Sequence, residues 1–145
     1  MAYTSTYLNF DGTTEAAFTF YRSVFGTEFV NGIQRMGDVP LQEGQPKLTD
    51  EEKQLVVNVT LPILGGHILM GTDATASMGF TLNQGNNVYI SLTADSRAEA
   101  DALFAALSEG GTTQMPMMDM FWGAYFGSLV DRFGVQWMVN ATGAA

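Results

Sequence analysis

The sequence of 145 residues contains no cysteine, which excludes a disulfide framework, a cysteine nucleophile and a thiolate metal site. Histidine is almost as scarce, since His67 is the only one. Basic residues are also few: six Lys and Arg stand against fifteen Asp and Glu, for a formal net charge of -9. Such a charge repels the phosphates of nucleic acids and anionic lipid surfaces. We therefore expect no nucleic-acid partner and no membrane partner.

Long hydrophobic runs are absent too, because no apolar stretch approaches the roughly 20 residues of a transmembrane helix. Residues 1–7 lack the basic and apolar regions of a signal peptide, so a cytoplasmic protein is the simplest expectation. The composition is 46% hydrophobic and 14% charged, which is typical of a globular protein of one domain. With so few charges, we expect part of the apolar surface to be buried by self-association.

Aromatic residues and methionine are concentrated between residues 115 and 140. Asp131 and Gly134, in the second half of this stretch, have the residue preferences of a type I turn followed by a glycine. The segments on both sides of them are apolar, which predicts a β-hairpin preceded by an aromatic loop. Trp122, Tyr125 and Trp137 then belong either to the core or to the lining of a pocket.

The rest of the pattern predicts two helices and several short strands. The first helix is expected from Gly12 to about Phe25, with an apolar stripe of Ala17, Phe20, Tyr21, Val24 and Phe25. The second follows the capping-box pattern of Ser96 and Glu99 and ends at Gly110. Strands are predicted at residues 3–11, 27–36 (interrupted at Gly32), 55–61, 67–71, 88–93 and 112–118, and on both sides of the hairpin turn.

Residues 37–54 show little periodicity and contain two prolines, two glycines and an acidic run. They are predicted to form an exposed loop with a short helical turn after Thr49. Their composition is compatible with a solvated excursion or with a lid over a ligand site.

The two halves of the sequence repeat each other. A shift of 84 residues places Asp11 on Asp95, Ala16 on Ala100, Glu15 on Glu99, Phe20 on Phe104 and Gly26 on Gly110. Each half is predicted to be a strand, a helix and three strands, and two copies indicate a duplicated module. The expected class is α+β: one domain of residues 1–145 in which two βαβββ modules, about 3–72 and 86–141, curl mixed sheets around a cleft with the helices outside.

Several segments resemble a known family. They are YLNFDG at residues 7–12, FY at 20–21, FG at 25–26, GGHILMG at 65–71, FWG at 121–123 and FG at 126–127, with Asp131, Phe133, Gly134 and Trp137. Together with the two modules, they resemble the vicinal oxygen chelate superfamily, which holds glyoxalase I, extradiol dioxygenases and bleomycin-binding proteins. More closely, the chain resembles the PhnB-like branch, which carries the label of 3-demethylubiquinone 3-methyltransferase. The sequence lacks the glycine-rich strand-to-helix turn that would hold a methyl-donor cofactor.

Active members of that superfamily bind a divalent metal through His, Gln or Glu on equivalent strands of the two modules. The resemblance places these positions near Thr4 or Thr6, Met70, Val88 and Met138, and none of these residues is such a ligand. The segments 55–61, 88–93 and 135–139 contain no His, Asp or Glu. A lone histidine such as His67 is more often a hydrogen-bonded residue than a ligand. We therefore expect no bound metal and no other cofactor.

Other catalytic arrangements have little support in the sequence. A Ser-His-Asp triad would need His67, and no serine lies on a nucleophile-elbow pattern. Asp73 and Asp119 each end a strand and are either a general acid and base or turn-forming residues.

The inner face of a curled sheet carries alternate residues of several strands. The candidate ligand-binding residues are Tyr7, Asn9, Arg35, Asn58, Met70, Trp122, Tyr125 and Trp137. They suit a small ligand that is partly planar or anionic, although Arg35 is also compatible with an exposed salt bridge.

Three functions remain open. The first is a small-molecule binding protein without a metal, the second is a metal-dependent lyase, isomerase or dioxygenase-like enzyme, and the third is a structural or regulatory dimer without a ligand. The resemblance also implies a homodimer, because the cleft is often completed by two chains in this superfamily.

Overall fold

The computed structural model describes residues 1–142, which divide into two compact units, Met1–Leu82 and the described chain from Asn83 onward. Each unit contains one four-stranded mixed sheet and one helix of 12 residues, so the predicted α+β class is confirmed. In chain order, the elements are β1 (Ser5–Phe10), α1 (Thr14–Phe25), β2 (Gln34–Arg35), α2 (Asp50–Gln54), β3 (Val56–Pro62), β4 (Ile68–Asp73), β5 (Ile90–Ala94), α3 (Arg97–Ser108), β6 (Thr112–Asp119), β7 (Tyr125–Val130) and β8 (Gln136–Ala141).

In the first unit, the strands lie in the order β1-β4-β3-β2. β1 is parallel to β4, and the other neighbours are antiparallel. Helix α1 packs on one face of this sheet through Ala17, Phe18 and Tyr21, which are fully buried at helical spacing. Phe10 and Leu69 are buried on the same side of the sheet, so the core of this unit lies between α1 and that face.

The second unit repeats this arrangement with the strand order β5-β8-β7-β6. Helix α3 buries Ala100, Leu103 and Leu107. The sheet side that faces α3 includes Trp137 and Val139, both fully buried. The predicted hairpin is confirmed as β7 and β8, and the loop before it holds the exposed aromatic residues.

The two units correspond through two different shifts in residue number. β1 and β5 correspond through the predicted shift of 84. The hairpins β3–β4 and β7–β8 correspond through a shift of 68, because the same turn hydrogen bond occurs in both. Ile63 N–H donates to the His67 carbonyl at 2.7 Å in the first hairpin, and Asp131 N–H donates to the Val135 carbonyl at 2.8 Å in the second. The difference, 84 minus 68, means that the first unit has 16 more residues between β1 and its hairpin. These extra residues lie in segment 37–54, which includes α2.

The predicted strand at residues 27–36 is wrong over most of its length, since only Gln34–Arg35 is extended and paired. Asn31 and Gly32 have φ values of 61° and 69°, which lie in the left-handed region and cannot continue a strand. Two hydrogen bonds still hold this segment beside β3: Val30 N–H donates to the Thr60 carbonyl, and the Thr27 hydroxyl donates to the Pro62 carbonyl.

The predicted stripe of α1 is correct at Ala17 and Tyr21 and wrong elsewhere. Phe18 is fully buried, whereas Phe20, Val24 and Phe25 are partly exposed. The buried residues of α1 follow the i, i+3, i+4, i+7 spacing, and they are Thr14, Ala17, Phe18 and Tyr21. The face of α1 that packs on the sheet is therefore adjacent to the predicted one.

Local capping signals were more reliable. Ser96 Oγ accepts the Glu99 N–H, as predicted, although the Glu99 carboxylate accepts the N–H of Asp95 rather than that of Ser96. The helical turn predicted after Thr49 is confirmed as α2 and has a complete capping box with Glu52. None of the helices in residues 1–142 is long and apolar enough to cross a membrane.

Candidate functional site

The face of the first sheet that does not carry α1, here called the helix-free face, is the best candidate for a binding surface. Side chains alternate along a strand, so Tyr7 and Asn9 point away from the buried side of Phe10. The register places Met70 beside Tyr7 and Thr60 beside Met70. This row spans about 10 Å, because neighbouring strands are about 4.8 Å apart.

A second row on the same face brings in two amides. Asn9 lies beside Thr72 on β4, and Asn58 lies two residues before Thr60 on β3. Tyr7 is 53% exposed, so a ligand can reach its ring. The structure therefore brings together four of the eight predicted ligand-binding residues, which are Tyr7, Asn9, Asn58 and Met70.

The second sheet has an equivalent helix-free face, which sequence reasoning missed. By the register, it carries Ser91, Thr93, Phe126, Ser128, Met138 and Asn140. The shift of 68 turns Met70 into Met138 and Thr60 into Ser128. The signal that could have revealed this shift is the pair of matching glycines at the two hairpin turns, Gly66 and Gly134.

Neutral side chains make up both helix-free faces. Over the paired residues of β1, β3, β4, β5, β7 and β8, their positions are occupied by Ser, Thr, Asn, Gln, Met, Tyr, Phe, Pro, Ile and Val. Amides and hydroxyls donate and accept hydrogen bonds, and methionine and aromatic rings provide adaptable apolar contact. None of these side chains carries a charge that could neutralise a charged ligand buried against them, so these faces suit an uncharged ligand.

Arg35 lies elsewhere, and the expectation that it lines the same face is corrected by its contacts. Its guanidinium donates two hydrogen bonds to the carboxylate of Glu15 on α1, at 2.8 and 2.9 Å, and one to the carbonyl of Gln54 at 2.9 Å. These hydrogen bonds lower the pKa of Glu15 and raise the pKa of Arg35. Because the charge of Arg35 is already paired, the argument for an anionic ligand on the sheet is lost.

Tyr125 and Trp137 lie on the side of the second sheet that carries α3, so their predicted position on the inner face is also wrong. The Tyr125 hydroxyl donates to Asp101 on α3 at 2.5 Å, which raises the pKa of the phenol, and its ring stacks 4.1 Å from Arg97. Trp137 is fully buried, and its indole N–H donates to Asp131 Oδ2 at 2.8 Å. Both residues stabilise the packing of the unit.

Trp122 belongs to neither sheet face. It lies in the loop between β6 and β7, exposed to solvent, with its ring edge-on to that of Phe121 at 4.9 Å between centroids. The two rings form an apolar protrusion of the second unit.

The two aspartates considered as an acid–base pair have structural contacts. Asp73 is buried, and it accepts hydrogen bonds from the N–H and hydroxyl of Thr14 and from the N–H of Val56. Asp119 is paired with Arg97 at the surface. The interpretation as structural residues at strand ends is therefore supported for both.

The single histidine is held by a neighbouring strand. His67 Nε2 lies 2.9 Å from the hydroxyl of Thr6 on β1. Side chains alternate along β1, so Thr6 lies on the side opposite Tyr7. The metal-ligand position that the resemblance predicted near Thr4 or Thr6 is therefore displaced by one residue, because the residues of β1 on the helix-free face include Ser5 and Tyr7.

The side chains at the superfamily's metal positions do not fit a divalent metal. Val88, one of the expected positions, lies before β5, and the nearby residue on the helix-free face is Ser91. At the other positions these faces hold Tyr7, Met70 and Met138, so the set consists of phenol, thioether and hydroxyl groups. Divalent metals such as Zn²⁺ are bound in proteins mainly by imidazole, carboxylate and thiolate ligands. Nowhere in residues 1–142 do three or more His, Cys, Asp or Glu side chains form a group that could hold a metal ion.

Comparison with known proteins gives consistent results over nearly the whole chain. Residues 2–140 match the family described as 3-demethylubiquinone-9 3-methyltransferase. The protein YjdN of Escherichia coli is 29% identical over 146 residues, which cover 94% of this chain and 92% of YjdN.

Solved structures show the same fold. Protein PA1353 from Pseudomonas aeruginosa has a TM-score of 0.81 at 35% identity and 98% coverage of both chains. A PhnB protein from Bacillus cereus has a TM-score of 0.73 at 27% identity, with 97% of this chain and 100% of that chain covered. A glyoxalase/bleomycin resistance protein/dioxygenase family enzyme from Burkholderia phytofirmans has a TM-score of 0.65 at 17% identity, over 94% of this chain and 97% of that one, which shows the fold alone. The predicted glyoxalase-like fold is confirmed.

Proposed function

Because the chain belongs to the 3-demethylubiquinone-9 3-methyltransferase (PhnB-like) family and has a glyoxalase-like fold, we propose that it binds an uncharged small molecule without a metal ion. The binding surface is the helix-free face of the first sheet. One observation carries this proposal: Tyr7, Asn9, Asn58 and Met70 share a face that offers hydrogen bonds and apolar contact but no charge.

The charge state of the ligand follows from the cost of desolvation. A buried anion or cation needs an opposite charge or several strong hydrogen bonds, and it loses several kcal/mol without them. A neutral amide, ester or phenol needs only one or two hydrogen bonds, which Asn9, Asn58 and Thr60 can supply. The ring of Tyr7 and the thioether of Met70 then contact the apolar part of the ligand.

The proposal is tested with a matched pair of probes, benzamide and benzoate, which differ in charge but have nearly the same shape. The nine methionines carry ¹³C-labelled methyl groups, and Met70 reports on the helix-free face. We expect benzamide to shift the Met70 methyl signal more strongly than benzoate does. A shift of the Met70 signal by benzoate that equals the shift by benzamide would contradict the uncharged-ligand proposal.

A pair of tyrosine variants locates the site. Tyr7→Ala should weaken benzamide binding about tenfold, because a buried aromatic contact is often worth more than 1 kcal/mol. Tyr3→Ala removes a more exposed ring, 79% against 53% for Tyr7, which lies just before β1, and it should leave binding unchanged. Equal effects of the two variants would contradict a site on this face.

The metal-dependent enzyme is the competing function, and it makes the opposite prediction. Titration with Zn²⁺, Ni²⁺ or Mn²⁺ should leave the melting temperature unchanged, since a specific site would raise it by mass action. A stoichiometric metal with a clear rise in melting temperature would replace the binding proposal by the enzyme.

We also propose that the chain forms a homodimer. The low fraction of charged residues and the exposed Phe121 and Trp122 support it, since apolar surface of this kind is commonly buried between subunits. Sedimentation should give about twice the chain mass of 15.7 kDa. A monomer at all concentrations would contradict this proposal without affecting the ligand proposal.

A further inference from the structure

Segment 37–54, the extra part of the first unit, forms most of the walls of two adjoining cavities of about 330 and 290 Å³, which are open to solvent. The cavities share four apolar lining residues, which are Met36, Val39, Leu41 and Leu48. Ligand sites in proteins commonly begin at about 300 Å³, so each cavity alone can hold a small molecule. The extra segment therefore provides concave apolar surface of the size that a small ligand needs.

The walls of these cavities leave apolar surface open to solvent. Val39 is 49% exposed and Leu41 is 51% exposed, although both are large hydrophobic residues. Val57 on β3 adds an apolar wall from the sheet. A ligand with an apolar body would remove this surface from water at a gain of about 25 cal/mol per Å².

The charged residues that line the first cavity are both lysines. Lys47 and Lys53, the only two lysines of the chain, both line it, and neither cavity has an Asp or Glu in its lining. Lys53 reaches Asp50 only at 3.9 Å, between two exposed side chains, which is a weak pair. Lys47 makes no salt bridge within residues 1–142.

The four arginines, in contrast, have partners. Arg22 lies over the ring of Phe29, Arg35 binds Glu15, Arg97 binds Asp119, and Arg132 donates to the carbonyl of Glu109. In a chain with a net charge of -9, the two lysines beside an apolar cavity are thus the cations that remain available to a ligand.

We propose that these cavities form a binding site for an amphipathic monoanion, a carboxylate with an unbranched or aromatic apolar body. The apolar body lies against Met36, Leu41 and Leu48, and the carboxylate is bound by the ammonium groups of Lys47 and Lys53. This site shares no residue with the helix-free face, so it is a second site with the opposite preference for ligand charge.

Octanoate is the probe, and octanamide is its neutral counterpart. In the full chain with ¹³C-labelled methionine methyl groups, octanoate should shift the signal of Met36, which lines both cavities, and leave that of Met70 unchanged. Octanamide should bind more weakly. Raising the ionic strength should weaken the binding of octanoate and leave the binding of octanamide unchanged, because salt screens exposed charges.

Lysine variants test the contribution of charge. Lys47→Gln should weaken octanoate binding about fivefold, the upper end for one exposed ion pair, and the double variant with Lys53→Gln more than tenfold. Arg22→Gln removes the same charge from α1, outside the cavity lining, and should leave the affinity unchanged. Leu48→Ala should weaken octanoate and octanamide alike, because it reduces the apolar wall.

Three results would overturn this inference. They are the absence of octanoate binding, equal effects of Arg22→Gln and Lys47→Gln, and a shift at Met70 instead of Met36. Tyr7→Ala separates the two proposals, since it should weaken benzamide on the helix-free face and leave octanoate in the cavity unaffected.

Discussion

The carboxylate of Asp73 offers a direct test of how the first unit is held together. Asp73 is 3% exposed; its Oδ1 accepts the N–H of Thr14 at 3.1 Å and the Thr14 hydroxyl at 2.6 Å, and its Oδ2 accepts the N–H of Val56 at 2.7 Å. Thr13, at the N-cap of α1, makes no capping hydrogen bond with its side chain. Asp73 therefore joins the end of β4 to the start of α1 and to the start of β3.

Removal of this carboxylate leaves buried donors without acceptors. In Asp73→Ala, the Thr14 hydroxyl can rotate, but the two backbone N–H groups cannot. Each unsatisfied buried donor costs about 1–3 kcal/mol, so we expect a loss of about 4 kcal/mol in the free energy of unfolding. This is a large part of the typical 5–15 kcal/mol, and it corresponds to a fall of roughly 10 °C in melting temperature.

Urea unfolding followed by circular dichroism measures this loss, with an unchanged m-value as the sign that the unfolded state is the same. Asp119→Ala is the matched control, because its carboxylate is exposed and its pair with Arg97 should contribute less than about 1 kcal/mol. Asp73→Asn keeps the size of the side chain but places an N–H₂ group against a donor, so it should lose about half as much as Asp73→Ala. A loss for Asp73→Ala no larger than that of Asp119→Ala would refute this account of the junction.

Three further perturbations test other parts of the structure. Asp131→Ala should lower the free energy of unfolding by about 3 kcal/mol, because it leaves two backbone N–H groups of the turn and the buried indole N–H of Trp137 without an acceptor. Gly71→Ala should cost about 1–3 kcal/mol, since its new methyl group would overlap the buried ring of Phe18. Glu15→Gln should destabilise the protein slightly at neutral pH. The lowered pKa of Glu15 contributes stability above the pKa of the unfolded chain, so this difference should vanish as the pH falls through the folded-state value.

Each of these three has its own check. Gly85→Ala places a methyl group where the nearest atom lies 3.5 Å away, so its denaturation midpoint should match that of the original protein. For Asp131, tryptophan fluorescence should report an altered environment in the folded state. A stability difference for Glu15→Gln that persists at pH 2 would show that its ion pair is not the cause.

Elements with strong local signals could be predicted from the sequence. The glycine after α1, the Ser96 cap of α3 and the turn at Asp131 each depend on a few neighbouring residues, and all three are found where expected. The interruption predicted at Gly32 is found, but Asn31 is left-handed as well, and only Gln34–Arg35 forms a strand in this segment. The face of α1 that packs was also decided by the sheet, since Phe18 and Phe20 are equally apolar in the sequence.

Only part of the geometry of the candidate site was predicted correctly, and the reason for the errors on the strands is geometric. Alternation along a strand means that an error of one residue moves a side chain to the other face. Tyr7, Asn9 and Met70 were assigned to the correct face of the first sheet. Tyr125 was assigned to the inner face of the second sheet, but in the structure the neighbouring residue Phe126 lies on the helix-free face and Tyr125 lies on the opposite one. Arg35 was misplaced for a different reason, because its partner Glu15 is 20 residues away along the chain.

The sequence by itself determined the α+β class, the duplication, the family and the absence of His, Asp and Glu from segments 55–61, 88–93 and 135–139, since these depend on residue types and their order. Only the tertiary structure decided which side chains share a surface and which charges are already paired. It paired Arg35 with Glu15, because packing brings together segments that are distant along the chain. It also showed that Lys47 and Lys53, although close in sequence, line the same apolar cavity, which depends on how segment 37–54 folds.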